Sequence, residues 1–191
     1  MSKKIEPEVL GTKIEFESKY MTIQSESLLF TLVKDNATEQ LAKKYYTLKS
    51  PDFVVGIVTD ADKILVVNQY RRPVQGMNLE FVAGMVDEGH SPLKAIKKEL
   101  LEEAGIKVNE IYLLGKCRPL AGRNLNQCYI YHCDNFEQVK PNLEPYERFT
   151  GLKASWMSLK KFHKLVRTNK MQDGVTLMSW ALFLEKFLGN Y

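Results

Sequence analysis

Residues 84–106 read GMVDEGHSPLKAIKKELLEEAGI, and this stretch decides the interpretation of the whole chain. The stretch begins with Gly84 and contains a second glycine, Gly89, before the helix, and glycines so placed are typical of a tight turn. A helix is predicted over residues 92–104, because Ser91 suits the N-cap and Gly105 suits the position after the last helical residue. Apolar residues recur within it at helical spacing and predict one buried face. The stretch therefore predicts a turn that runs directly into a helix.

Three glutamates lie on one side of this predicted helix. Glu99, Glu102 and Glu103 stand at positions i, i+3 and i+4, so their side chains project in similar directions. A divalent cation would offset the repulsion between them, and carboxylate oxygens favour Mg²⁺ or Mn²⁺ over zinc. The alternative is a solvated acidic face that holds no metal.

The other segments indicate a mixed architecture. Strands are predicted at residues 13–16, 20–24, 28–33, 53–58, 64–69, 79–82, 111–114, 128–132 and 152–157, and helices at residues 159–167 and 175–188. Most neighbouring strands can be joined by hairpins, so the pattern predicts an α/β sandwich with a mixed sheet and helices on its faces.

Composition excludes several classes of protein. With 45% hydrophobic residues among 191 and a net charge of +4, the chain is expected to be globular rather than disordered. The longest mostly apolar stretch, residues 175–184, is well short of the roughly 20 residues that a membrane span needs. The N-terminus shows no secretory signal, and three cysteines without a C-x-x-C spacing favour a reducing cytoplasm. The basic balance is too small to indicate nucleic acid.

In residues 84–106 the chain resembles the Nudix hydrolase family. The family pattern, the Nudix box, spans 23 residues, and its positions are matched here by Gly84, Glu99, Leu100, Glu102, Glu103, Gly105 and Ile106. Two positions depart from it: His90 stands where the family has Glu, and Lys98 stands where the family has Arg.

The resemblance extends outward and is closest to the ADP-ribose pyrophosphatase branch of the family. It is carried by residues 69–74, 79–84, 165–167 and 173–177, and it covers roughly residues 10–188. It implies the Nudix α/β/α sandwich with an N-terminal antiparallel strand appendage that pairs in a homodimer. The implied division is residues 1–50, the dimerisation appendage, and residues 51–191, the hydrolase domain.

The same resemblance implies the metal ligands. They are the carboxylates of Glu99 and Glu103 and the backbone carbonyl of Ala83, with Glu102 as an additional or water-mediated ligand and Glu80 beside the site. Lys98 keeps a positive charge but loses the planar fork of Arg, and both departures are expected to weaken catalysis.

The general base is left open by the sequence. Related enzymes carry acidic residues just before the strand at residues 152–157, whereas this chain has Thr150 and Lys153 there. Glu147, slightly upstream, is a candidate base, and the alternative is an ordinary glutamate of a surface loop. Glu144 lies on the same loop.

Arg71 and Arg72 are candidate substrate-binding residues. A guanidinium group suits phosphate geometry, so either side chain is suited to hold a diphosphate. The alternative for each is a solvated arginine at the end of a strand.

Two functions follow from these observations. The first is a metal-dependent hydrolase that cleaves the diphosphate of ADP-ribose or another nucleoside diphosphate sugar, with Mg²⁺ or Mn²⁺ as cofactor. The second is a degenerate Nudix module that binds a nucleotide, RNA or protein with little or no hydrolysis. The three helix glutamates favour the first, whereas His90 and Lys98 favour the second.

Overall fold

A computed structural model describes residues 6–34 and 37–187 of the chain. These residues form two compact units. The first contains the described residues up to Pro51 together with Arg118–Asn126, and the second contains Asp52–Cys117 and the described residues from Gln127 onward. No helix in the described ranges is long and apolar enough to cross a membrane.

The first unit is a three-stranded antiparallel sheet. Its strands are β1 (Glu8–Glu17), β2 (Thr22–Lys34) and β3 (Ala37–Lys49), in the order β1-β2-β3. The strands predicted at residues 20–24 and 28–33 are wrong as separate elements, because β2 runs without a break from Thr22 to Lys34 and includes residues 22–24 and 28–33. Nearly every residue of β3 is exposed, and so its sequence lacks the alternation that identifies a strand.

The second unit is built on a mixed sheet with helices on both faces. Its strands are β4 (Phe53–Asp60), β5 (Lys63–Arg71), β6 (Gly76–Glu80), β7 (Val82–Met85), β8 (Ile106–Cys117), β9 (Cys128–Gln138) and β10 (Lys153–Ser158). Its helices are α1 (Pro92–Ala104), α2 (Pro145–Phe149), α3 (Leu159–Arg167) and α4 (Gly174–Phe187). The main strand order is β10-β5-β4-β9-β8, with β6 beside β5 and β7 beside β4. Among the strand pairs in the described part of this unit, β4–β9 is parallel and the others are antiparallel, which confirms the predicted mixed sheet.

Alternation along β4 divides the core into two halves. Val54 and Val58 belong to the cluster that contains apolar residues of α1, whereas Val55 and Ile57 pack with residues of α3 and α4. Gly56 lies between these positions, and a Cβ atom there would come within 2.9 Å of side chains of α1. Helix α1 therefore packs directly on the centre of the sheet, which fixes the position of its glutamates.

The prediction of one strand over residues 79–82 is also wrong. The chain changes partners there: β6 pairs with β5, and β7 pairs with β4. Phe81, at the change, is buried, and its backbone N–H donates to Thr176 Oγ1 at 3.1 Å. A change of partner depends on contacts distant in sequence, and a local apolar run does not reveal it.

The helices agree closely with the prediction where local signals exist. Helices α1 and α3 have the predicted bounds, and Ser91 Oγ and Ser158 Oγ each accept a backbone N–H at the helix start. The last helix was predicted to reach Leu188, a residue outside the described ranges. Helix α2 was not predicted.

Candidate metal and phosphate site

Three carboxylates meet at the inner side of α1. Glu99, Glu103 and Glu147 each place one oxygen atom within 4.8 Å of an oxygen of the other two. Glu99 and Glu103 are one helical turn apart, whereas Glu147 comes from α2, much later in the chain. The structure thus brings together two of the predicted metal ligands and the candidate base.

Burial makes these charges costly in the protein without a cation. Glu103 is 5% exposed, and among the described residues its Oε2 atom has no hydrogen-bond donor. Burial, reinforced by the charges of Glu99 and Glu147, raises the pKa of Glu103 to about 9. Burial is also the largest cause that raises the pKa of Glu99 to about 7, and it raises the pKa of Glu147. A divalent cation in this place would favour the charged forms of all three.

The glycine at position 84 makes room for one of these carboxylates. A Cβ atom at Gly84 would overlap the carboxylate group of Glu99. Strand β7 therefore lies directly against the acidic group, and Ala83, which pairs with Val55 of β4, precedes this point of contact. The predicted carbonyl ligand at Ala83 thus comes from the same short strand that Glu99 touches.

Glu102 is not part of the group of three. Its Oε2 lies 3.2 Å from Lys98 Nζ, one helical turn away on α1. Its role as a metal ligand stays a prediction, and its described partner is a cation of the protein.

One oxygen of Glu147 has a structural partner. The backbone N–H of Glu144, the residue before α2, donates to Glu147 Oε2 at 2.6 Å. Lys98 Nζ lies 3.5 Å from Glu144 Oε1. The side chain of Glu147 is therefore held by the start of its own helix.

His90 lies outside the acidic group. Its Nε2 lies 3.1 Å from Lys94 Nζ, and its Nδ1 lies 3.9 Å from Asp87 Oδ2. His90, one of the two residues that depart from the family pattern, thus contacts the exposed turn and the first turn of α1.

An open cavity of about 490 Å³ adjoins the carboxylates. Its lining includes residues of β4, β5, β6 and β7 and of the segment that begins α4: Phe53, Arg71, Glu80, Gly84, Asp173 and Thr176. The volume lies within the range of small-molecule sites. Gly84 belongs both to this lining and to the contact with Glu99, so the cavity and the acidic group share a wall.

Arg71 and Glu80 form a two-pronged ion pair in the cavity wall. Arg71 Nε donates to Glu80 Oε1 at 2.8 Å, and Arg71 Nη2 donates to Glu80 Oε2 at 2.5 Å. Asn78 Nδ2 donates to Glu80 Oε1 at 2.8 Å. Glu80 is buried and orients the guanidinium of Arg71, whose side chain is 38% exposed. Arg72, by contrast, is exposed and does not line the cavity.

Two polar residues that line this cavity, Asn78 and Asp173, are not among the site residues predicted from the sequence. Asn78 is a half-buried residue near the end of β6. Asp173 accepts the backbone N–H of Thr176 at 2.7 Å, at the start of α4. The Asp-Gly pair before an apolar run is a local signal for a helix start. The position of Asp173 at the cavity depends on the packing of segments distant in sequence, and no local sequence pattern predicts it.

Comparisons with known proteins agree on one family. The family model described as the NUDIX domain matches residues 49–178. The ADP compounds hydrolase NudE of Escherichia coli is 27% identical over 117 residues, 61% of this chain and 60% of that protein. The ADP-ribose pyrophosphatase of Bacillus subtilis is 34% identical over 71 residues, 37% of this chain and 38% of that protein. The aligned regions thus span less than two thirds of these relatives.

A solved structure has the same fold over nearly the whole chain. The crystal structure of an ADP compounds hydrolase superposes with a TM-score of 0.77 and 20% sequence identity, and it covers 98% of both chains. This match confirms the α/β sandwich with its N-terminal antiparallel strands.

Proposed function

The chain belongs to the NUDIX domain family, and from this premise we propose that it is a metal-dependent hydrolase of nucleoside diphosphate sugars, with ADP-ribose as the first candidate. The observation that carries the proposal is the shared wall at Gly84. On one side of it lie the carboxylates of Glu99 and its two partners, and on the other lies a cavity large enough for a nucleotide.

The donor set fits a hard divalent cation. Three carboxylates with raised pKa values converge, and Glu103 offers a buried oxygen without a donor from the described residues. Such oxygens suit Mg²⁺ or Mn²⁺, which usually hold several waters and substrate phosphates as well. Glu99 and Glu103 would hold the cation, with the backbone of Ala83 beside them. When bound, it supplies charge neutralisation of the diphosphate and activation of water.

The side chains around this centre divide the remaining work. Arg71, oriented by Glu80, faces the cavity and can donate to a phosphate oxygen from the part of its fork that Glu80 leaves free. Glu147 retains one oxygen beyond its bond to the Glu144 amide and is positioned to accept a proton from an attacking water. Positioning and charge stabilisation then provide most of the catalysis.

The relatives suggest the substrate class. Two of them carry names that refer to ADP compounds or ADP-ribose. We therefore extend to this chain the cleavage of the diphosphate linkage, which releases AMP and a sugar phosphate.

The direct test is product analysis with purified protein. ADP-ribose is incubated with Mg²⁺, with Mn²⁺ and with a chelator, and AMP and ribose phosphate are separated by chromatography. Cation-dependent formation of both products is expected, and Glu103→Gln should abolish it. Tight binding of ADP-ribose without any product would instead support the degenerate binding module.

We further propose that the enzyme is a cytoplasmic homodimer. All ten residues of β1 are exposed, and the exposed side chains of this sheet include Val9, Ile14 and Phe16. Apolar strands exposed in this way favour pairing with a second copy. Cys117, Cys128 and Cys133 are free thiols, which suits a reducing compartment. Light scattering should give twice the chain mass of 22.0 kDa, and a monomer mass would contradict the dimer.

A further inference from the structure

We propose that Lys98 is a positioning residue that ties helix α2 to helix α1 and thereby presents Glu147 to Glu99 and Glu103. The structural link stands on the contacts of the metal-free protein, whereas its meaning for catalysis rests on the proposed function. The contrast with the family pattern, which has Arg at this position, makes the residue worth testing in this chain.

Helix α2 has little to hold it in place by itself. It consists of five residues, none of which is buried. Tyr146 is 66% exposed and Phe149 is 91% exposed. A helix of this length is unstable alone, so its position depends on contacts at its ends.

Such contacts occur at both ends of α2. Asn142 N–H donates to the backbone carbonyl of Glu102 at 3.0 Å, and Leu143 packs against the core cluster beside α1. At the other end of α2, the Tyr70 N–H of β5 donates to the Thr150 carbonyl at 2.9 Å. The part of α2 that these contacts leave for a further partner is its start, with Glu144. Lys98 provides the next contact, since its Nζ lies 3.5 Å from Glu144 Oε1.

A short series of contacts then leads from Lys98 to the acidic group. Lys98 Nζ lies 3.2 Å from Glu102 Oε2 and is thereby held on the surface of α1. Glu144, its second partner, donates its backbone N–H to Glu147 Oε2 at 2.6 Å. One carboxylate oxygen of Glu147 lies within 4.8 Å of oxygens of Glu99 and Glu103. Movement of Glu144 away from α1 would therefore carry Glu147 with it.

Charge explains why a cation is needed at this point. Lys98 Nζ lies between the carboxylate of Glu102 on α1 and that of Glu144 at the start of α2, and without the lysine these like charges would repel the two elements. Although burial lowers it, the pKa of Lys98 is raised overall by the hydrogen bond to Glu102 and by the charges of Glu99 and Glu144. A single exposed ion pair contributes little, but Lys98 meets carboxylates of both elements at once.

Two explanations of Lys98 predict opposite effects on metal affinity. If Lys98 were only a positive charge near the site, its removal would reduce repulsion of a divalent cation and tighten binding. If it positions Glu147, its removal displaces a carboxylate from the group and weakens binding. The sign of the change in Lys98→Met therefore distinguishes them.

The test is a titration with Mn²⁺ followed by the EPR signal of the free ion. We expect Lys98→Met to bind Mn²⁺ about tenfold more weakly, as is common when an outer partner of a ligand is lost. Lys98→Arg restores the contact with Glu144 and should lie within about twofold of the parent protein. Lys107→Met is the matched control, because Lys107 forms an exposed 2.8 Å ion pair with Glu137 elsewhere in the unit. Unchanged or tighter binding in Lys98→Met overturns the proposal.

A second measurement uses the protein without metal or substrate. In α2 and after it, Thr150 N–H donates to Tyr146 O at 2.9 Å, and Leu152 N–H donates to Glu147 O at 2.9 Å. Hydrogen exchange of these amides should accelerate about tenfold in Lys98→Met but not in Lys107→Met. Equal exchange in both variants overturns the proposal.

These results are separable from the fate of the proposed function. A parent protein that protects α2 through Lys98 but releases no AMP from ADP-ribose would end the hydrolase proposal and leave the positioning role intact. If instead the parent enzyme is active, but Lys98→Met retains the hydrogen-exchange protection of α2 and the Mn²⁺ affinity of the parent, the positioning role is excluded and the hydrolase proposal stands.

Discussion

The carboxylate of Glu99 lies against Gly84, in the space where any other residue would place its β carbon. The two residues belong to different elements, strand β7 and helix α1, and each restricts the other. Because Gly84 also lines the cavity, their contact joins the acidic group to the region where we place the substrate. A change of a single methyl group at this contact should therefore affect both.

Gly84→Ala is predicted to displace the Glu99 carboxylate. We expect Mn²⁺ affinity to fall by at least about tenfold, because a ligand held out of place loses most of its contribution. Gly122→Ala is the control, since a β carbon there meets no atom within 4 Å. Isothermal titration of both variants checks the prediction, and equal affinities would show that Glu99 does not depend on this contact.

Glu103→Gln is predicted to change stability and metal affinity in opposite directions. Without metal, the variant should be more stable, because the buried carboxyl with its raised pKa is costly to ionise at neutral pH. A gain of 1 kcal/mol raises Tm by about 2–4 °C in a chain of this size. Loss of a residue that only orients a metal ligand costs roughly 10–100-fold in affinity. Because we propose Glu103 as a direct ligand, its replacement should reduce metal affinity by more than this. Thermal unfolding with and without Mg²⁺ measures both effects.

Glu102→Gln provides the comparison for that experiment. Its carboxylate is half-buried and pairs with Lys98 rather than with the group of three. We expect a smaller loss of metal affinity than in Glu103→Gln. A loss equal to that of Glu103→Gln would mean that Glu102 is a direct ligand.

Arg71→Lys is predicted to raise the KM for ADP-ribose. Lysine cannot reproduce the two-pronged bond to Glu80, so the charge would lose its orientation in the cavity wall. We expect KM to rise by about tenfold, equivalent to about 1.4 kcal/mol, with a smaller change in kcat. Arg72→Lys is the matched control, because Arg72 is exposed and does not line the cavity. Steady-state kinetics of the two variants decide whether Arg71 contacts substrate.

Local signals account for the parts of the fold that were predicted well. Helix α1 is marked at one end by Ser91, whose Oγ accepts the N–H of Lys94, and at the other by Gly105, which has a φ of 65°. Both are properties of neighbouring residues and can be read from a short window. Strand β3 lacks such signals, because most of its residues are exposed. Helix α2 has Pro145 in its first turn and a capping box between Glu144 and Glu147, but none of its five residues is buried, so no apolar periodicity accompanies these signals.

The candidate site shows the same division. Glu99 and Glu103 could be identified together because helical spacing places them on one face. Glu147 joins them only through the packing of the segment before β10, and the sequence alone favours an ordinary glutamate of a surface loop at this position. The bond between Arg71 and Glu80 likewise depends on the pairing of β5 with β6. Long-range pairing, rather than residue type, determines these contacts.

The stability of the metal-free protein is predicted to fall as the pH rises. The pKa of Glu103 is about 9 and that of Glu99 about 7 in the folded protein, mainly because of burial, against an ordinary value of 4.5. Between these values the folded state binds more protons than the unfolded state, so the free energy of unfolding decreases with pH. Urea denaturation with a chelator present, at about pH 5, 7 and 9, measures this decrease. The slope should be smaller in Glu103→Gln.

Metal affinity is predicted to show the opposite dependence on pH. A divalent cation must displace the protons of Glu99 and Glu103, so its affinity rises by about tenfold per pH unit for each proton released. At neutral pH, Glu99 is near its pKa of about 7 and Glu103 is mostly protonated, so binding should release more than one proton. Calorimetric titration with Mg²⁺ in two buffers of different ionisation enthalpy counts these protons, and Glu103→Gln should release fewer. Because exposed carboxylates near their ordinary pKa would already be charged, an affinity that is constant between about pH 6 and 8.5 would show that the cation is held elsewhere.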